Sequence, residues 1–96
     1  MSRRDAIALA HQHFDDGGFL AVLRQAVGLP TESQAPGQGP ALAAYLTGFV
    51  TPLVSRLGFA VRILDNPKEG DGPFLIATRH EGDDLPTLLT YGHGDT

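Results

Sequence analysis

The sequence contains no cysteine, which excludes disulfides and thiolate ligation together, so a metal bound by this chain has to use nitrogen and oxygen donors. No stretch approaches the ~18 consecutive apolar residues that a membrane span requires. No secretory signal is expected: Met1-Ser2-Arg3-Arg4-Asp5 leads into alanine-rich amphipathic sequence interrupted by His11, Gln12 and His13, not into an unbroken apolar run. The expected compartment is the cytoplasm. Basic residues are few and scattered, with 7 Lys and Arg against 11 Asp and Glu for a net charge of -4, and Arg3-Arg4 the only basic cluster. Neutralising phosphates takes a concentrated basic face, so neither nucleic acid nor an anionic membrane is an expected partner.

What remains is ordinary globular material. Hydrophobic residues make up 42% of the 96 positions and charged residues 19%, which is apolar enough to escape the signature of disorder. A chain of this length suits one small domain that buries roughly 60–70% of its unfolded surface. Ser2 with Asp5 three residues on reads as a capping box, and Ile7, Ala10, His11 and Phe14 follow at helical spacing. Asp15-Asp16-Gly17-Gly18 interrupts this first helix. It can cap a second, with an apolar face of Phe19, Leu20, Leu23 and Val27 and a stop at Gly28 before Pro30; one helix with a break is the alternative.

The segment TESQAPGQGP, from Thr31 to Pro40, is turn chemistry throughout. Gly39 and Pro40 then open the longest helix, in which Leu42, Tyr45, Leu46, Phe49, Val50, Leu53, Val54 and Leu57 form one apolar stripe. Each such side chain stabilises by roughly 1.5–3 kcal/mol when fully buried, so this stripe asks for a covering surface. Pro52 lies inside the helix, opposite the carbonyl of Gly48. Because the stripe keeps its phase across the proline, a kink is expected, with Gly58 ending the helix. Phe59, Val61 and Ile63 alternate with Ala60 and Arg62 as in a strand with one wetter face. Pro73–Thr78 reads as a second strand and Thr87–Tyr91 as a third. Both connections are too short for a crossover helix, so neighbouring strands must run antiparallel. The expected fold class is α/β: helices packed on a small partial sheet, a three-stranded meander. There is no internal repeat.

The third strand leads into Gly92-His93-Gly94-Asp95. Imidazole binds zinc, and a nearby carboxylate can fix the ring's tautomer and orientation. Ligands gather outside the carboxyl ends of strands in open α/β sheets, and Gly92 and Gly94 leave room for close backbone approach. Two blander readings stay open. His93 and Asp95 can be polar residues of a strand end and turn, and Gly92-His93-Gly94 can begin a phosphate cradle, whose third glycine and following helix would fall after Thr96 and whose place after a meander is not that of a first βα unit. His11 and His13 stand two apart on a helix and point away from each other. His80 belongs to a polar turn, and Asp15-Asp16 and Asp83-Asp84 read as cap and turn residues. Thr31-Glu32-Ser33 fits a loop near a cleft and a plain helix exit equally well.

A helix ending in VGLPTES, a long helix ending in LVSRLGF, the strands AVRILDN and PFLIATR, and then LLTYGHGDT together resemble the amino-terminal part of the dinuclear zinc peptidase and deacylase family. That family includes aminoacylase, acetylornithine deacetylase, succinyl-diaminopimelate desuccinylase and glutamate carboxypeptidases. The resemblance covers residues 19–96, and its specific element is the GHxD motif after a strand. It implies a fragment of a three-layer α/β/α catalytic domain, with His93 a ligand of one zinc ion and Asp95 orienting it. The remaining ligands and a glutamate base would lie further along the chain than Thr96, as would the inserted lid domain. It also implies hydrolysis of peptides or N-acyl amino acids by metal-activated water, with these 96 residues inactive alone. Strands left unpaired at Phe74–Thr78 or Thr87–Tyr91 imply self-association through an open edge or through the uncovered helix stripe. The alternative is a small non-catalytic α/β binding or interaction module.

Overall fold

The computed structural model describes all 96 residues, Met1–Thr96. Helix α1 (Arg3–Asp15) opens on the expected capping box. Ser2 Oγ accepts the Asp5 N–H at 3.2 Å, and Asp5 Oδ2 accepts the Ser2 N–H at 2.8 Å. The Ser2 backbone N–H, and then its hydroxyl, hold the Asp5 carboxyl below its ordinary value of 3.8. The box therefore acts fully above that pH and is lost as pH falls through the lowered value. At the other end Gly17 adopts φ 86° and Asp16 Oδ1 accepts the Gly18 N–H at 2.9 Å. The chain turns there, and α2 (Gly18–Val27) begins as a separate helix. The Phe14 and Phe19 rings, 6.0 Å apart, pack across the corner.

Residues 39–55 form one continuous helical run, α3, in three stretches: α-helical Gly39–Ala44, π-helical Tyr45–Val50 and α-helical Thr51–Ser55. Proline explains the middle stretch. Its ring opposes the carbonyl four residues back, and a wider i→i−5 turn is a common way for a helix to absorb such an obstacle. Thr51, immediately before Pro52, sends both its N–H and its hydroxyl to the Leu46 carbonyl, the latter at 2.7 Å. Backbone angles at Val50 and Thr51 stay right-handed helical, so the helix is deformed without breaking. Gly58 then stops it at φ 86°: its N–H reaches Ser55 O at 3.0 Å and that of Phe59 reaches Val54 O at 3.3 Å, a Schellman ending.

Strands β1 (Ala60–Leu64) and β2 (Phe74–Thr78) pair antiparallel with Arg62 opposite Ile76. Asn66 braces their connection, donating to Gly72 O at 3.0 Å and accepting the Lys68 N–H at 2.9 Å. The last turns of α3 pack on β1, and Arg79 Nη1 ties β2 to that corner through Leu57 O at 2.7 Å. The architecture is thus mixed α/β, with three helices and a two-stranded antiparallel sheet.

The expected three-stranded meander is not formed: Thr87–Tyr91 has no regular structure and joins no sheet. A run that is apolar on both faces is stable as a strand only where layers cover both faces. Nothing covers this one, and Leu88, Leu89 and Tyr91 are 87%, 91% and 90% exposed.

The same shortage of covering surface runs through the chain. Thr31 is the only buried residue, and no hydrophobic side chain is buried. The stripe of α3 is half-buried at best, and Leu57 is exposed. The accessible surface is 8015 Å², whereas a folded chain of this mass exposes ~5300 Å². The radius of gyration, 15.8 Å, exceeds the ~13 Å of a compact chain of this length. At 46 × 36 × 17 Å the molecule is a slab. Its thickness leaves little room beyond one helical layer of ~10–12 Å, while a domain core needs two packed layers.

The 96-residue chain expressed alone is therefore expected to bind a hydrophobic dye such as ANS and to melt broadly. A single sharp calorimetric transition with the ~1.2–1.5 kcal/mol/K heat-capacity step of a 100-residue domain would contradict this.

Candidate functional site

His93 and Asp95 lie on the carboxyl-terminal tail, and Thr31–Ser33, beyond the end of α2, hold that tail in place. Thr96 N–H donates to Thr31 O at 2.9 Å and Ser33 N–H donates to Thr96 O at 3.2 Å. Two bonds bracketing Glu32 in this way make one rung of a parallel ladder. The Thr31 hydroxyl adds a bond to Gly94 O at 2.8 Å, and Ser33 Oγ donates to Asp95 Oδ2 at 2.6 Å. The Tyr45 ring, stacked on Phe49 with centroids 5.6 Å apart, lies so close over Gly94 that a Cβ there would run into it. The glycine between His93 and Asp95 is thus required by an aromatic ring. Gly92 has open space around it.

The imidazole has a defined hydrogen-bonding role. His93 Nδ1 lies 3.1 Å from Asp95 Oδ1 and 3.3 Å from Asp95 O. Both partners are acceptors only, so Nδ1 carries the proton, and in the neutral ring Nε2 keeps its lone pair. Nε2 has no partner within the chain, and the side chain is 70% exposed. The Ser33 hydroxyl foremost, then the Asp95 backbone N–H and the His93 imidazole, hold the Asp95 carboxyl below its ordinary value of 3.8, against partial desolvation that raises it. The carboxylate that orients His93 is consequently ionised at any pH above that value, and the arrangement is lost only as pH falls through the lowered one.

An open cleft of ≈ 540 Å³ runs beside this pair, between the carboxyl end of α2, Glu32, Tyr45 and the His93–Thr96 tail. A lone-pair nitrogen facing such a cleft can ligate a metal, accept a proton or accept a hydrogen bond. Zinc in a catalytic site takes three protein ligands. No group of three His, Asp or Glu side chains converges anywhere in the chain, so His93 fits as one zinc ligand but these residues alone do not make a site. The other histidines stand apart from it. His11 is exposed on α1, the His13 ring packs beside Gly18, and His80 Nε2 meets Asp83 Oδ1 at 2.9 Å in its own turn.

Comparison with family models, curated proteins and solved structures finds no match. The family resemblance therefore rests on the motif and the order of elements.

In the sequence Thr31-Glu32-Ser33 fits a loop or a helix exit and Tyr45 belongs to the apolar stripe, and neither pattern marks them for the site. Their roles depend on partners some fifty to sixty residues away, and no local pattern carries that information.

Gly94→Ala is expected to force the tail off Thr31, at a cost of about 1–3 kcal/mol for overpacking. The readout is hydrogen exchange at the Thr96 amide, which should accelerate. Tyr45→Ala in the same chain should restore much of the protection, and a Gly94→Ala variant with wild-type exchange would contradict the steric account.

Proposed function

We propose that this chain is the amino-terminal portion of a zinc-dependent peptidase or deacylase that hydrolyses peptide or N-acyl amino-acid amide bonds. The observation that supports it most is the state of His93: Nδ1–H is committed to the Asp95 carboxylate, and the Nε2 lone pair is free beside a cleft. That is the state a histidine needs in order to ligate a metal. Zinc held there would polarise the amide carbonyl and lower the pKa of the attacking water. The residues of this chain do the positioning. His93 contributes one nitrogen donor, Asp95 holds the ring, and Thr31 and Ser33 fix the tail that carries both.

The exposed apolar surface favours this reading over a self-contained binding module, because the exposed faces of α1, α2 and β2 are what further layers of a larger α/β/α domain would cover. A cytoplasmic site of action belongs to the same proposal.

In the protein expressed from its complete reading frame, His93→Ala is expected to lower bound zinc and to abolish hydrolysis of N-acyl amino acids. Unchanged zinc content would overturn the proposal, as would metal-dependent amidase activity from residues 1–96 alone.

Until further layers cover it, β2 is a free edge, with Phe74 52% and Ile76 43% exposed and no charge or proline between Phe74 and Thr78. Such edges recruit a second chain. The 96-residue chain is expected to self-associate in sedimentation velocity, and Ile76→Lys to shift it toward monomer; a clean wild-type monomer at high concentration would oppose this.

A further inference from the structure

Resting on the reading of His93 as a metal ligand, we propose that Ser33 is a positioning residue for that ligand: its hydroxyl fixes the Asp95 carboxylate, and through it the tautomer and orientation of the His93 ring. The sequence points to Ser33 only as part of a loop, and the geometry gives it a distinct task. Three bonds already fasten the tail to the loop: Thr96 N–H to Thr31 O, Ser33 N–H to Thr96 O, and the Thr31 hydroxyl to Gly94 O. None of them touches the Asp95 side chain. The Ser33 hydroxyl is the one group of the loop that does, at 2.6 Å on Oδ2.

The placement has a direct consequence for the imidazole. With Oδ2 held by Ser33, the carboxylate plane is set and Oδ1 faces His93 Nδ1 at 3.1 Å. Released from Ser33, a side chain that is 41% exposed is free to turn its oxygens toward water. Nδ1 would then keep only the longer contact to the Asp95 carbonyl, at 3.3 Å. A neutral imidazole without a strong acceptor at Nδ1 favours the opposite tautomer, in which the proton occupies Nε2 and blocks the ligating nitrogen. Ser33 has the placement to act in this way, because its own N–H is pinned to Thr96 O and it is half-buried.

The test uses the protein from its complete reading frame, stripped of metal by chelation, with nitrogen-15 histidine NMR at a pH ~2 units above the ordinary imidazole pKa of ~6.5. The wild type is expected to hold His93 mainly as the Nδ1–H tautomer. Ser33→Ala should shift the tautomer ratio toward Nε2–H by roughly tenfold, the scale of one charge-assisted hydrogen bond, while the Thr96 amide stays protected from exchange. Ser33→Thr, which keeps the hydroxyl, should restore the ratio, and Thr31→Val, which loosens the tail without touching Asp95, should leave it unchanged. On reloading, the alanine variant should bind zinc about tenfold more weakly. A Ser33→Ala protein with the wild-type tautomer ratio would overturn the proposal, as would a ratio that changes only together with loss of Thr96 protection, since Ser33 would then merely fasten the tail. These outcomes are separable from the zinc reading, which stands or falls on the zinc content of His93→Ala.

Discussion

The contact between Thr31–Ser33 and Gly94–Thr96 is the constraint on which the candidate site depends. It closes a loop of about sixty residues, and the entropic cost of closure, (3/2)RT ln n, is roughly 4 kcal/mol. The three bonds that fasten the backbones, each worth ~0.5–1.5 kcal/mol net, return a similar amount. Hydrogen bonding alone thus brings the tail to about break-even. Tyr45 over Gly94 supplies the apolar contact that tips the balance, and it does so at the residue between His93 and Asp95. Tail docking thus brings Asp95 within reach of both Ser33 and His93, and the Ser33–Asp95 bond then orients the ring.

Elsewhere the chain is short of surface to pack against. Helix α3 presents an apolar stripe that its neighbours only half cover, and α1 and α2 meet each other mainly through Phe14 and Phe19 while Leu20, Leu23 and Val27 face solvent. The antiparallel pair β1–β2 carries Phe74 and Ile76 outward. Apolar surface left in water on this scale weakens every element at once, because helices and two-stranded sheets derive most of their stability from packing rather than from their own hydrogen bonds. The same deficit explains why Thr87–Tyr91 lacks strand pairing although its composition suits a strand.

Features set by neighbours in sequence were legible before the structure. The Ser2–Asp5 box, the turn at Asp16-Gly17, the stop at Gly58 and the antiparallel β1–β2 pair each follow from a few adjacent residues or a short connection. Pro52 announced a deformation of α3, but its form, a π-helical stretch from Tyr45 to Val50, depends on how several successive carbonyls share the displacement. Thr87–Tyr91 differs from its expected strand because an apolar, strand-favouring composition describes suitability for a sheet and carries no information on whether a partner is present. Thr31, Ser33 and Tyr45 were beyond reach for a related reason. Their significance lies in what the fold brings to them from the far end of the chain.

Gly94 shows how one residue can satisfy a sequence expectation for a different physical reason. A glycine beside a histidine suggests space kept clear for a metal, and here the space is filled by the Tyr45 ring. The ring lies against the glycine while Asp95 meets His93, so the imidazole receives both the carboxylate and the carbonyl of a residue two positions on. Two acceptors at one ring nitrogen leave a single tautomer, and that tautomer exposes a lone pair. The chemistry available at His93 therefore depends on how the tail around Gly94 is packed. This is why a two-residue motif with little information of its own becomes a specific arrangement once α3 and the Thr31–Ser33 loop close around it.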